Sequence, residues 1–173
     1  MVMTWKENRV YTLDRETLVE KEERPMFAGA EEGWGITADE TAGNGSSYLM
    51  YVSDGTSNIQ VVDGNTMETV KTIAVTDSSG IAKTMINELE YVAGYIYANI
   101  WFEDIIVKID PENGNIVDTY DFSGLKRAEN IFQNQYKFRN DADVLNGIAY
   151  DPSEDCFYLS GKNWHLMFKV TLN

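Results

Sequence analysis

Ile59-Gln60-Val61-Val62-Asp63-Gly64-Asn65-Thr66 is an apolar run closed by an aspartate and a turn, and the same plan returns on both sides of it. Upstream it reads Val10-Tyr11-Thr12-Leu13-Asp14; downstream, Ile106-Val107-Lys108-Ile109-Asp110. Asp63 follows Asp14 by 49 residues and Asp110 follows Asp63 by 47. Several short strands inside a near-constant period of this size are the signature of propeller blades. The fold class expected is therefore all-β, a β-propeller.

Working outward, two full repeats separate into strands. The first takes residues 33–37, 48–52, 59–63 and 69–75; the second takes 89–92, 95–101, 105–110 and 116–122. Period-2 alternation in Thr69-Val70-Lys71-Thr72-Ile73 marks an outer, half-exposed strand. Tyr95-Ile96-Tyr97-Ala98-Asn99-Ile100 reads instead as buried on both faces. The turns Asp63-Gly64-Asn65-Thr66 and Asp110-Pro111-Glu112-Asn113-Gly114-Asn115 carry the Gly, Asn and Pro that tight hairpins require. Residues 123–143 break the pattern with Leu125, Ala128, Ile131 and Phe132 at helical spacing, so a helical insertion between blades is expected there. A third repeat begins at Leu145-Asn146-Gly147-Ile148-Ala149-Tyr150, continues through 157–160 and ends with 165–172.

The count of strands bears on completeness. Residues 5–14 and 18–23 supply two strands before the first full blade, and the last repeat supplies three. A propeller closes by radial repetition, so an arc of about three to four blades leaves sheet faces uncovered. The expectation is one propeller domain over residues 1–173, truncated at its N-terminus, or an arc completed by a complementary N-terminal propeller fragment.

Composition narrows the function classes. With 28 acidic and 14 basic residues the formal charge is −14, which repels phosphate backbones and anionic lipid surfaces. Nucleic acid and membranes are not expected partners. The lone cysteine, Cys156, lies in the apolar run Cys156-Phe157-Tyr158-Leu159 and reads as core. With Cys156 and the single His165 there is no zinc-ligand or Cys/His nucleophile spacing, so no metal is expected. The start, Met1-Val2-Met3-Thr4-Trp5-Lys6-Glu7-Asn8-Arg9, has neither an apolar core nor a cleavage site of a signal peptide, and no stretch is long enough for a membrane-spanning helix.

Polar and aromatic residues recur at the ends of the strands. Trp5, Trp34 and Trp101 sit beside glycine or acidic residues, a setting that suits both a pocket mouth and ordinary blade packing. Asn87-Glu88 brings two polar side chains into a strand at the inner rim, either for a site or for the strand ladder. Lys162, in Ser160-Gly161-Lys162-Asn163-Trp164, ends a strand with a cation, a group that serves in a salt bridge as readily as on a ligand. His165 alternates with Leu166 and Phe168 and reads as structural.

Seven blocks in order resemble the signatures of the glutamine cyclotransferase family, the plant- and bacterial-type glutaminyl cyclases. They are Met3-Thr4-Trp5, Glu32-Gly33-Trp34-Gly35-Ile36-Thr37, Ser53-Asp54-Gly55-Thr56, Ile86-Asn87-Glu88-Leu89-Glu90-Tyr91, Ala98-Asn99-Ile100-Trp101, Val144-Leu145-Asn146-Gly147-Ile148-Ala149-Tyr150-Asp151 and Gly161-Lys162-Asn163-Trp164. The resemblance covers the C-terminal two-thirds of such proteins and implies a propeller of five blades when complete. It implies closure of an N-terminal glutamine into pyroglutamate with loss of ammonia, on peptides and proteins, without a cofactor.

Residue by residue, the resemblance puts Trp5, Trp34 and Trp101 around the glutamine side chain and makes Asn87 and Lys162 the polar groups acting on it. Glu88 and Asn146 are further substrate-binding candidates. It also implies an exported, extracytoplasmic setting. The family's acid/base glutamate, with Phe-Thr-Gln-Gly and Phe-Gly-Glu-Gly blocks, lies upstream of the block matched by Met3-Thr4-Trp5. Because that proton transfer contributes typically about 10²- to 10⁴-fold, weak activity is expected of this chain alone. Two other readings stand beside the enzyme: a non-catalytic peptide-binding propeller, and half of a split propeller. A lactonase-like or sugar-dehydrogenase-like propeller would need acidic metal ligands converging on the channel, and no such set is visible.

Overall fold

The computed structural model describes residues 1–39, 48–136 and 143–172. The described residues form four antiparallel sheets, each made of strands consecutive in sequence. The N-terminal sheet contains β1 (Val2–Met3), β2 (Arg9–Leu13) and β3 (Glu20–Pro25). Two four-stranded blades follow: β4 (Gly35–Asp39), β5 (Leu49–Ser53), β6 (Asn58–Asp63) and β7 (Thr69–Ala74), then β8 (Ile86–Val92), β9 (Tyr95–Ile100), β10 (Ile105–Ile109) and β11 (Ile116–Asp121). Helix α1 (Ser123–Tyr136) precedes a C-terminal sheet of β12 (Leu145–Asp151), β13 (Cys156–Gly161) and β14 (Phe168–Val170). The chain is an all-β propeller arc.

Local chemistry explains why the aspartate repeat punctuates the fold. Asp14, Asp63 and Asp110 each open the hairpin leading to an outermost strand. Their Oδ1 atoms accept the backbone N–H two residues on, from Glu16 at 3.0 Å, Asn65 at 2.8 Å and Glu112 at 2.9 Å. The N–H four residues on then donates to each aspartate's C=O, from Leu18, Met67 and Gly114. These three residues have φ of 57°, 61° and 79°. One turn is built three times, with a left-handed position that is glycine in the third copy alone.

Apolar faces pack between neighbouring sheets. Ile59, Ile73, Leu89, Ile96, Ile100 and Ile109 join one cluster between the two full blades. Leu145, Leu159 and Phe157 meet Ile106 and Tyr97 in the next, and Val10 meets Val52 and Val62 in the first. Each such side chain contributes about 1.5–3 kcal/mol when fully buried. Gln60 lies inside because both ends of its amide are engaged: Nε2 donates to the Gly29 C=O at 3.1 Å, and Thr72 Oγ1 donates to Oε1 at 2.7 Å.

Four boundaries stand out against the sequence reading. The N-terminal sheet has three strands, because Val2–Met3 pairs with β2 and residues 4–8 turn between them. Strand β4 starts at Gly35, leaving Gly33 and Trp34 on the approach to it, whereas β8 starts three residues earlier than expected and includes Asn87 and Glu88, with a register shift between Ile86 and Leu89. The last strand is confined to Phe168–Val170, since the N–H groups of His165 and Leu166 are taken by a side chain of α1 instead of a neighbouring strand. Of the stretch read as helical, residues 137–142 lie outside the described residues.

Candidate active site

The approaches to the inner strands converge on a cavity of about 230 Å³ lined by Trp5, Gly33, Trp34, Asn87, Trp101, Asn146 and Lys162. Residues from all four sheets or their connections contribute. Trp34 stands edge-on to Trp101, with ring centroids 5.0 Å apart and an interplanar angle of 89°. The Lys162 ammonium lies 5.1 Å from the centre of the Trp101 ring, within range of a cation–π attraction.

Backbone contacts fix these side chains. Ser53 Oγ donates to the Asn87 C=O at 2.6 Å and accepts the Gly35 N–H at 2.9 Å, stitching β4 to β8. A Cβ on Gly35 would fall 2.2 Å from the Asn87 carbonyl oxygen, so the two strands approach too closely for any other residue. Gly55, at φ 82°, supplies the floor under Trp34, whose ring would lie 2.5 Å from an added Cβ. Asp54 accepts the Glu31 N–H at 3.1 Å and so holds the segment leading into Trp34. The short Ser-Asp-Gly-Thr block thus shapes the site without lining it.

Glu32, which the sequence reading did not single out, is the junction of two of the tryptophans. Its Oε2 accepts the indole N–H of Trp34 at 2.7 Å and that of Trp5. The Trp34 hydrogen bond is the main reason its carboxyl is held below the ordinary glutamate value, with Trp5 and the charge of Lys6 adding to it against the effect of burial. This matters for Trp5, a residue 54% exposed, with the Lys6 ammonium above its ring. The signal available in the sequence was its place directly before Gly33-Trp34.

Asn87 is buried and lines the cavity, while Lys162 is exposed at its edge. Asn146 reaches it from β12, where Asn99 Oδ1 accepts the N–H of the adjacent Gly147 at 2.9 Å. Two residues of the lining each carry a buried polar atom without a hydrogen-bond partner among the described residues, the donor Trp101 Nε1 and the acceptor Asn146 Oδ1. A buried donor and acceptor left open are a specific invitation to a ligand with both functions.

Glu88 is placed apart from the other candidates. It lines a second, largely apolar cavity with Gly147, Ile148, Ala149, Tyr158, Ser160 and Met167. Burial pushes its carboxyl up to about 7, opposed by the Leu89 N–H and reinforced by the charge of Glu90. Glu90 instead ties blades together, accepting the Tyr150 N–H at 2.9 Å and lying 3.5 Å from the Thr37 hydroxyl that donates to it. Elsewhere, donor atoms of Asp151, Glu154 and Cys156 fall within 4.8 Å of one another. Local partners engage the two carboxylates, Ser153 on Asp151 and Lys169 with Tyr158 on Glu154.

The sequence model of glutamine cyclotransferases matches residues 1–172. This chain belongs to the glutamine cyclotransferase family. A glutaminyl-peptide cyclotransferase of Arabidopsis thaliana is 29% identical over 170 residues, which are 98% of this chain and 48% of that protein. The chain therefore spans about half the length of this relative. The crystal structure of Myxococcus xanthus glutaminyl cyclase is similar with a TM-score of 0.82 and 30% sequence identity, over 99% of this chain and 67% of that one. The glutamine cyclotransferase assignment and the propeller arc agree, and the cavity lies where six of the family-like blocks meet.

Proposed function

We propose that the protein is a glutaminyl-peptide cyclotransferase, converting N-terminal glutamine of peptides and proteins to pyroglutamate with release of ammonia. The observation that carries this reading is the tryptophan-walled cavity with an open donor, an open acceptor, an amide and an ammonium. A glutamine side chain is apolar along its methylenes and ends in a carboxamide that both donates and accepts. Trp5, Trp34 and Trp101 suit the methylenes; Trp101 Nε1 and Asn146 Oδ1 suit the carboxamide.

In the reaction the α-amine nitrogen attacks the side-chain carbonyl carbon, and the new C–N bond closes a five-membered ring. The carbonyl oxygen becomes an oxyanion, a proton passes from the attacking nitrogen to the leaving nitrogen, the C–N bond to the latter breaks, and ammonia departs. Holding the chain folded for attack supplies the proximity term. Lys162 and the Asn87 amide stabilise the oxyanion, where one well-aimed donor is worth about 10²- to 10³-fold. Among the described residues the cavity lining holds no carboxylate, and the reading assigns the proton relay to a group beyond it.

That gap, together with the 67% share of the bacterial enzyme that the chain spans, favours a second element of the reading: a complementary propeller segment completes the ring and brings the proton-transfer group. Met167, 68% exposed beside the C-terminal sheet, and Val2, 48% exposed on the N-terminal one, are side chains such a segment would cover. The test is ammonia release from a peptide with N-terminal glutamine, with and without the complementary segment, beside Trp34→Ala and Lys162→Ala. Release that requires the segment and falls at least 100-fold in both variants supports the proposal. Absence of release even with the segment, while the peptide still binds, would replace it with a non-catalytic peptide-binding propeller.

A further inference from the structure

Helix α1 belongs to no blade, yet one of its side chains makes bonds that the propeller repeat does not explain. Glu129 is 0% exposed. Its Oε1 accepts the backbone N–H of His165 at 2.8 Å, with His165 Nδ1 3.3 Å away, and its Oε2 accepts the N–H of Leu166 at 3.0 Å. Burial raises the carboxyl pKa, but the bonds from His165 and Leu166, with Gln133 adding to them, outweigh it and keep the group below its ordinary value. A buried carboxylate holding two successive amide N–H groups is a strong, charge-assisted anchor.

What it anchors is the turn that carries Lys162. The turn leaves β13 at Gly161, where the Trp164 ring occupies the space of a missing side chain, 2.4 Å from an added Cβ. The Trp164 N–H closes back on the Gly161 C=O at 3.1 Å, the Lys162 N–H is held by the Val144 C=O at 2.9 Å, and Asn163 takes the left-handed conformation at φ 58°. From the helix, Lys126 lies 5.6 Å from the centre of the Trp164 ring, one turn before Glu129. Lys162 is thus a flexible, exposed side chain on a turn fastened at its start by Val144, the residue before β12, and at its end by α1.

We propose that Glu129 is a positioning residue for Lys162, setting the ammonium over Trp101 and against the reacting carboxamide. The catalytic part rests on the cyclotransferase reading; the anchoring part does not. The two N–H groups diverge to separate oxygens, so only a carboxylate satisfies both. Glutamine offers one oxygen and turns an NH₂ toward the other N–H, leaving a buried donor unsatisfied.

Glu129→Gln, which preserves shape, is the test, with Glu129→Ala alongside and overall folding followed by far-ultraviolet circular dichroism. Amide exchange at His165 and Leu166 is expected to accelerate at least about 10-fold relative to β9 amides, because these bonds protect them locally. The ring-current shift that Trp101 imposes on the Lys162 methylene protons is expected to shrink. With the ring completed, kcat for a glutaminyl peptide should fall about 10-fold with KM changed less than about 3-fold, since Lys162 acts on charge that develops in the transition state. In a Lys162→Ala background, adding Glu129→Gln should leave kcat unchanged. Unaltered exchange, or an unaltered Lys162 shift, would overturn the anchor whatever the activity. A full additional loss of kcat in the Lys162→Ala background would reduce Glu129 to general structural support. Absence of turnover in the wild type, with both spectroscopic changes present in the variant, would strike the cyclotransferase reading and leave the anchor standing.

Discussion

The turn at residues 110–115 and the turn at residues 14–19 share the aspartate bonds to the second and fourth residues on and the left-handed fifth position, but have opposite surroundings. In the second full blade that position is Gly114, and an added Cβ would meet the Ala74 carbonyl oxygen of the preceding blade at 2.1 Å. The turn there is also stitched to that blade, Thr76 donating to the Gly114 C=O at 3.0 Å and Lys71 Nζ to the Glu112 C=O at 2.8 Å. In the N-terminal sheet the position is Leu18, 69% exposed, in a sheet whose outer strand β3 is exposed along most of its length. The contrast separates what a turn needs for its own shape from what a neighbouring blade demands of it.

Substituting Gly114 by leucine should break the contrast most severely. It adds the left-handed backbone penalty of about 1–2 kcal/mol to a collision with backbone that cannot rotate away, for a loss of about 4 kcal/mol in urea unfolding. A loss under about 1 kcal/mol would mean that the blades slide apart freely and that their contact is not tight.

Burial at the inner strand of the same blade gives the next effect. Glu88 is raised from 4.5 to about 7, so between these values the folded state keeps a proton that the unfolded chain releases. Its contribution to stability is intact below about pH 4.5 and is lost as the pH rises through about 7. Glu88→Gln is therefore expected to raise stability by up to about 3 kcal/mol at pH 8 and to change little at pH 4. Thermal unfolding at the two pH values checks it, and an equal gain at both would remove the titration from the account.

The smallest effect belongs to the exposed turn. Leu18→Gly relieves the left-handed strain without forfeiting packing, and the greater freedom of glycine in the unfolded chain offsets part of the relief. A gain of about 0.5 kcal/mol is expected, measured by chemical denaturation, and a loss would show that Leu18 makes contacts its exposure conceals.

The same contrast explains what the sequence revealed. The aspartate repeat was legible because each turn is built by one residue bonding to its neighbours, so chemistry and position are written side by side. The two full blades were legible because strands such as Tyr95–Ile100 are apolar on both faces. Val2–Met3 was not, since two residues carry no periodicity. The limits of β14 were set by Glu129, 36 residues before His165, and nothing local announces such a bond. The resemblance gathers Trp5, Trp34, Trp101, Asn87, Asn146 and Lys162 around one side chain, whereas the residues alone, far apart in sequence, carry no sign that they converge. Glu32 was missed because its partners, Trp5 and Trp34, declare themselves as aromatic and not as indole donors seeking one acceptor. Glu88 and Asn87 are adjacent in sequence, but the irregular pairing between Ile86 and Leu89 sends them to different cavities.

All four tryptophans of the chain stand at one end of the fold, three lining the cavity and Trp164 packed behind Lys162. The near-ultraviolet emission of the protein therefore comes almost wholly from the site and its supporting turn. Trp34 and Trp101, 5.0 Å apart and nearly perpendicular, are close enough for their excited states to mix, and Glu32 sets the indole of Trp34 in that arrangement. Occupancy of the cavity can thus be followed without a label, as a change in emission and in the paired bands of the coupled indoles.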